Sequence, residues 1–285
     1  MGNSRLTMMS ATRSASSGRM SFVYPALVSS EALVAIAGAL SSFLSGLLGI
    51  GGGLVLAPVL LYLPPFVGAA VIPVKVITGL TILQAVAGGL MGTLRHRRYG
   101  NVSMRLVRVM GPVGAIASFA GAVVSGQTPD RVLLFIFAAF ALAGGIALLL
   151  PVQSQQVAVG DLRVNVPLAV VLAAVIGFFG GMVGIGAIAF IIAALVYLLR
   201  IPARVAIGTS LGIGMLSALA GLAGKAATAQ IDPVLGTIVL ASALVASPVG
   251  AAVSQRSQPR VLMLLLAGIV GVTSVRMFWQ ALTGS

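Results

Sequence analysis

Charged residues are scarce in this chain of 285 residues, and cysteine is absent. Only 7% of the residues are charged and 59% are apolar, whereas a soluble domain is about a quarter charged. Without cysteine the chain has no disulfide, thiolate nucleophile or iron–sulfur ligand. Its one histidine, His96, cannot build a haem or zinc site. The composition therefore excludes a soluble enzyme and the common metal and redox centres.

Acidic residues are the rarest charged type, with 4 against 17 basic residues. They are Glu31, Asp130, Asp161 and Asp232, and each is near the end of an apolar segment or in a gap between two. Cation transporters and many proton-coupled transporters keep a carboxylate inside the membrane. The shortage favours an anionic or neutral substrate. Proton coupling would need an end-lying acid such as Glu31 or Asp232, or the substrate's own titration, or it is absent.

Long apolar runs are what the chain has in abundance. At roughly 20 residues per crossing, the apolar residues suffice for about eight transmembrane helices. The runs are continuous and do not alternate, which argues against a β-barrel. They extend over approximately 31–64, 71–94, 104–125, 131–151, 164–199, 203–225, 233–253 and 260–283. This pattern predicts an all-α polytopic membrane protein.

Two of these runs, 31–64 and 164–199, are too long for one simple crossing and are interrupted by glycines. The interruptions read GLLGIGGG at 46–53 and GMVGIGAI at 181–188. A glycine-broken stretch is typical of two half-helices that meet near the middle of the membrane, where helix N-termini favour an anion. The alternative is that the glycines only allow close helix packing.

The glycine runs belong to an internal repeat. The matching positions are Gly46, Gly49 and Gly51 with Gly181, Gly184 and Gly186, IPVKV at 72–76 with IPARV at 201–205, PVGA at 112–115 with PVGA at 248–251, and RVL at 131–133 with RVL at 260–262. This order predicts four segments: a disordered or targeting tail at 1–30, a membrane repeat at 31–152, a linker at 153–165 and a second repeat at 166–285.

The basic residues indicate how the two halves are oriented. The loop at 95–108 carries five arginines and is predicted to be cytoplasmic. Its counterpart around 225–232 has only Lys225 and Asp232 as charged residues. Inverted repeats explain this alternation. They require an odd number of crossings in each half, so each half is predicted to be a glycine-broken helical hairpin followed by three transmembrane helices.

Candidate binding residues lie on the helices that follow the hairpins. Thr81, Ala85, Gly88 and Gly92 recur as Ser210, Gly214, Ser217 and Gly221, and this spacing keeps each set on one helix face. Such a stripe lines a pathway or forms a helix–helix seam. Lys75 and Arg204 are equivalent cations that could hold an oxyanion or reach the lipid headgroups.

The predicted substrate-binding residues are Gly49, Gly51, Gly52, Gly53, Lys75, Thr78, Thr81, Gln84, Gly184, Gly186, Arg204, Ser210 and Ser217. No catalytic set, metal-ligand spacing or cofactor motif is visible, and the arginine cluster near His96 is interpreted as a membrane-flanking signal, not a nucleic-acid site. The expected partners are a small anion and the lipid bilayer, and a homo-oligomer is left open.

The constellation resembles the TauE/SafE family. The likeness rests on GLLGIGGGLVLAP at 46–58 and GFFGGMVGIGAIAF at 177–190, a following basic position, VKVITGLT at 74–81 and ARVAIGTS at 203–210, and then PVGA in each half. The second half departs from the pattern, since Ile188 stands at the position of Gly53 and Ala193 at that of Pro58. The resemblance implies a secondary transporter that exports sulfite or organosulfonates across a bacterial inner membrane. The alternative is an anion channel, or a permease for another small solute.

Overall fold

The computed structural model describes residues 29–48, 52–98, 102–149, 165–185, 188–254 and 259–283. The described residues form helices and short connections, and this confirms the prediction of an all-α protein. Residues 1–28 of the predicted tail and residues 153–164 of the predicted linker lie outside the described residues.

The first half contributes five helices: α1 (Ser30–Leu48), α2 (Gly53–Phe66), α3 (Val74–Arg98), α4 (Met104–Gln127) and α5 (Asp130–Leu149). The second half contributes α6 (Val166–Val183), α7 (Ile188–Ala193), α8 (Ala203–Ala227), α9 (Pro233–Ser254) and α10 (Pro259–Thr283), and α7 continues as a π-helical turn at Ala194–Leu198. The helix breaks between α1 and α2 and between α6 and α7 fall at the two predicted glycine runs.

The exterior of the bundle is apolar, as a lipid-facing surface must be. Ile116, Val245 and Val272 are each more than 70% exposed, and large exposed apolar patches are rare on soluble monomers. By length and composition, α1, α3, α4, α6, α8 and α9 each hold a stretch able to cross a membrane, while α2 and Ile188–Leu198 are shorter. The protein is therefore a multi-pass membrane protein.

Two glycine seams join the halves, with α1 packed on α9 and α6 packed on α4. A Cβ on Gly46 would overlap the carbonyl oxygen of Ser247, and a Cβ on Gly181 would overlap that of Ser118. The contacts are reciprocal, because Gly250 and Gly121 in turn lie against the carbonyls of Phe43 and Phe178. Such backbone contact is possible only without a side chain, which is how small residues bring membrane helices together.

These seams correct one part of the predicted repeat. Ser118 and Ser247 make equivalent contacts and are separated by 129 positions, as are Lys75 and Arg204. The two PVGA segments are separated by 136 positions, about two helical turns out of this register. Their equivalence was wrong, because a four-residue match of small residues is easily found in a chain this rich in glycine and alanine.

Two pairs of helices that the repeat predicts to be equivalent run in opposite directions where they touch. Along α3 and α8, Thr78 contacts Lys225 near one end, and Gly89 packs against Met215 further along. Along α5 and α10, the Phe135 and Phe278 rings stack edge-on at 5.1 Å. In the same pair the Arg131 guanidinium donates to the Ala281 carbonyl near the end of α10.

Candidate functional site

Described residues of the two glycine runs meet at one face of α3: Gly52 and Gly53, called the first tip, and Gly184 and Ile185, called the second tip. A Cβ on Gly53, the first residue of α2, would lie 3.2 Å from the Cα of Ile185 in the other tip and 3.2 Å from the Cβ of Thr81. Gly184 follows α6 in the left-handed conformation, with φ of 79°, and packs directly on the carbonyl of Thr78. The sequence predicted both tips, and the structure brings Gly53 and Gly184 to the same helix face.

That face of α3 is polar and closed to solvent. Thr78, Thr81 and Gln84 follow one another at intervals of three residues, and none is more than 2% exposed. The Thr78 hydroxyl donates to the Lys75 carbonyl at 2.8 Å and the Thr81 hydroxyl to the Thr78 carbonyl at 3.0 Å. Both hydroxyls satisfy their donors within the helix, and both can rotate toward a ligand.

Gln84 has unused hydrogen-bonding capacity at the first tip. Its Nε2 donates to the hydroxyls of Ser41 and Ser42 at 2.7 and 2.8 Å, whereas its Oε1 is buried without a partner. Gly52 packs directly on this amide. Because hydroxyls can donate or accept, the two serines can hold the amide in either orientation. Gln84 can thus offer a carbonyl oxygen or an NH₂ group to the space beside the tip.

The predicted serines of α8 contact α4 or their own helix, and some other predicted residues lie outside the described part of the chain. The Ser217 hydroxyl is buried without a partner and faces Gly114 of α4. The Ser210 hydroxyl donates to the Ile207 carbonyl of its own helix. Gly49, Gly51 and Gly186 and the side chain of Arg204 lie outside the described part of the chain.

The structure describes the side chain of one of the two predicted cations, Lys75. Lys75 is partly buried, and its Nζ donates to the carbonyl of Gly126 at the end of α4, at 2.8 Å. Its place in the structure is therefore beside the α4 terminus, about one helical turn from Thr78. Arg204 is the second residue of α8.

Lys225, which the sequence prediction assigned to a loop, is the largest fully buried side chain in the described residues. It lies in the last turn of α8. Its Nζ contacts four oxygens at 2.8–2.9 Å, and all four are neutral: Thr78 Oγ1, Ser125 Oγ, the Met182 carbonyl and Gln230 Oε1. A buried cation is costly unless it is paired or fully hydrogen-bonded, and here hydrogen bonds alone provide the compensation.

A sequence signal for Lys225 was present. The stripe at Ser210, Gly214, Ser217 and Gly221 continues by one further step of four residues to Lys225, so the lysine shares the buried face of α8. The corresponding step in the first half leads to His96.

The site is therefore electropositive and lacks a counterion in the described contacts. The Asp232 carboxylate accepts from the Val234 and Leu235 amides at 2.9 and 3.0 Å and so caps α9. Within the described ranges, no three His, Cys, Asp or Glu side chains gather as a metal site. Neutral polar groups with a nearby cation suit a small anion better than a cation.

The fold defines a class: a multi-pass helical membrane protein with helix boundaries at two glycine runs. A family model described as sulfite exporter TauE/SafE matches residues 34–277, and the chain belongs to that family. It is accordingly a membrane transporter and not an enzyme.

Curated relatives are consistent with this assignment. A Haemophilus influenzae protein named "Probable membrane transporter protein" is 32% identical over 192 residues, which cover 67% of this chain and 71% of that protein. A relative of the same description from Methanocaldococcus jannaschii is 24% identical over 86% of this chain and 94% of its own length. One from Bacillus subtilis is 21% identical over 88% and 98%. No solved structure matches the chain.

Proposed function

We propose that the protein is a secondary transporter that exports small anions, with sulfite or organosulfonates as the substrate class, across a bacterial inner membrane. The observation that carries the proposal is the meeting of both glycine tips on the buried polar face of α3. Thr81 contacts Gly53 of one tip and Gly184 of the other. The family supports sulfur oxyanions, and the residues support an anion.

The binding site in this proposal lies between the tips, near the middle of the membrane. The N-terminus of α2 begins at Gly53, and the first N–H groups of a helix lack intrahelical partners and carry the positive end of its dipole. Thr78, Thr81 and Gln84 supply hydroxyl and amide contacts. Lys225 adds a positive charge beside Thr78, which is about one turn of α3, or about 5 Å, from Thr81.

Transport in this proposal uses inverted repeats that rock against each other around the site. The opposite directions of α3 and α8 and of α5 and α10 support inversion, because equivalent helices of parallel repeats would point the same way. The glycine seams α1–α9 and α4–α6 each combine one helix from each half, so movement of one hairpin must involve the other half.

Counterflow in proteoliposomes tests the function. Vesicles loaded with unlabelled sulfite are expected to accumulate labelled sulfite transiently and saturably, and sulfonates are expected to compete while neutral solutes do not. A channel would give flux without counterflow. Absence of both flux and counterflow, in protein shown to be folded, would contradict the proposal for these substrates.

Removing the Thr81 hydroxyl tests the site. Thr81→Val keeps the side-chain volume, and we expect it to lower counterflow by about tenfold, the equivalent of one hydrogen bond of 1.4 kcal/mol. Thr93→Val is the matched control, since Thr93 is also on α3 and also donates to a carbonyl of its own helix, at 2.6 Å. Equal counterflow in the two variants would remove Thr81 from the site.

The predicted inversion has a direct test in a chain without cysteine. Arg105 and Val234 are both exposed and are equivalent, since they are 129 positions apart. Single substitutions Arg105→Cys and Val234→Cys should react with a membrane-impermeant maleimide from opposite faces, Arg105→Cys from the cytoplasmic face. Labelling of both from one face would establish parallel repeats instead.

A further inference from the structure

The hydrogen-bonding partners of Lys225 are suited to two charge states. An ammonium has three N–H donors, whereas a neutral amine has two and one lone pair. The Met182 carbonyl and the Gln230 Oε1 can only accept, and they can hold two N–H groups in either state. The hydroxyls of Thr78 and Ser125 can accept the third N–H of the ammonium or donate to the amine lone pair.

The alternative hydroxyl directions exist in the structure. The Thr78 hydroxyl can donate to the Lys75 carbonyl at 2.8 Å, and the Ser125 hydroxyl to the Ala122 carbonyl at 2.6 Å. Each hydroxyl therefore has a second partner within its own helix. Reorienting either one toward the amine requires only rotation about a C–O bond.

The charged groups around the cluster disfavour a permanently charged lysine. From α3, Lys75 contributes a second ammonium, bonded to Gly126 next to Ser125. From α6 and from the described part of α9 no charged side chain is present, and the arginines of α4, Arg105 and Arg108, are near its opposite end. Asp232 precedes α9 and is engaged by backbone amides. Each acceptor around Lys225 is neutral, so no carboxylate holds the charge in place.

The same cluster connects the two halves. Thr78 and Ser125 belong to the first half and Met182 and Lys225 to the second. Met182 lies two residues before Gly184, and Thr78 packs on Gly184. A change in the charge of Lys225 therefore alters the attraction between the halves directly beside the second tip.

From this arrangement we propose that Lys225 is the proton-carrying group that couples anion transport to proton movement. The inference rests on the proposed function. The charged lysine favours a bound anion one helical turn away. The site then opens to the other side of the membrane with both the anion and the proton on Lys225 in place. After the anion leaves, the ammonium gives one proton to water and becomes a neutral amine, and it regains a proton from water on the other side. In each cycle one anion and one proton move in the same direction.

The experiment uses labelled methanesulfonate, which stays ionised, so that titration of the substrate cannot carry the proton. Proteoliposomes are assayed for counterflow at equal pH and for accumulation driven by a pH gradient. In the wild type we expect both. In Lys225→Arg the charge persists but does not titrate, so, whatever the change in the rate of counterflow, the ratio of gradient-driven accumulation to counterflow should fall to its value without a gradient.

The outcomes separate the two proposals. Absence of wild-type counterflow with all anions would overturn the transporter function itself. Two results would overturn the coupling through Lys225 and leave the transporter function standing. One is wild-type counterflow with no response to the gradient, and the other is a gradient response that survives in Lys225→Arg. Lys75→Arg is the matched comparison and should keep the wild-type ratio of accumulation to counterflow.

A second variant decides the question if Lys225→Arg does not fold. The chain has four acidic residues and one histidine, so all can be removed together as Glu31→Gln, Asp130→Asn, Asp161→Asn, Asp232→Asn and His96→Gln. A gradient response that survives in this variant supports Lys225 as the carrier. Its loss, with counterflow retained, would overturn the proposal.

Discussion

Replacing Gly184 with alanine is expected to abolish transport. Gly184 has φ of 79°, a conformation that costs a residue with a side chain about 1–3 kcal/mol. A Cβ there would also overlap the Thr78 carbonyl and lie 2.9 Å from the Thr81 hydroxyl oxygen. The α3 backbone cannot yield without moving Thr78, which also contacts Lys225. The change should therefore displace the second tip from α3.

Counterflow in proteoliposomes, with thermal unfolding in detergent, measures this effect. Gly68→Ala is the matched control because Gly68 also has a positive φ, 67°, but is exposed in the connection after α2. It should show the backbone strain alone, with a lower midpoint of unfolding and near-normal transport. If Gly184→Ala transports like Gly68→Ala, the contact of the second tip with α3 is not needed for function.

Alanine at Gly181 should prevent accumulation of folded protein. Its Cβ would overlap the Ser118 carbonyl and lie 2.7 Å from both the Cα and the carbonyl carbon of Ser118. Overpacking against side chains costs about 1–3 kcal/mol. The cost here should be larger, because a whole helix backbone must shift. Gly46→Ala should have the same effect, since Gly46 meets Ser247 in the equivalent seam.

The amount of monodisperse protein after purification, and its unfolding midpoint, test this prediction. Gly268→Ala in α10 is the control, because a Cβ there meets no atom within 4 Å. It should be neutral or slightly stabilising, as alanine is the better helix former. Near-normal yield of Gly181→Ala would mean that α4 and α6 do not pack through backbone contact.

Much of the candidate site could be predicted from the chain alone. Gly184 and Thr81 were found because they recur at matching positions, Gly53 because it lies in the first glycine run, and Thr78 and Gln84 because they flank the same helix face. Lys225 was missed as a site residue. A lysine at the end of an apolar run reads as a membrane flank, and the length of a run does not reveal which way its last turn faces.

Other parts of the site could not be predicted by any repeat. Ser125 and Gln230 contact Lys225 from α4 and from the connection before α9, and neither belongs to a motif. Ser41 and Ser42 hold Gln84 from α1, a helix predicted only as one arm of a hairpin. The PVGA segments were an error of the other kind. They were matched by sequence identity alone, without support from their contacts in the fold.

The amino-acid sequence is enough to establish that this protein is helical and crosses a membrane several times, and it predicts two related halves, each broken at glycine. Those properties follow from local hydrophobicity and from residues that permit or prevent a helix, so they can be read along the chain. Which helix faces meet is known only from the folded chain. The fold placed both tips on α3 and surrounded Lys225 with oxygens from α3, α4, α6 and the segment before α9. Such contacts depend on the relative rotation and offset of distant helices, which close packing sets and no single segment encodes.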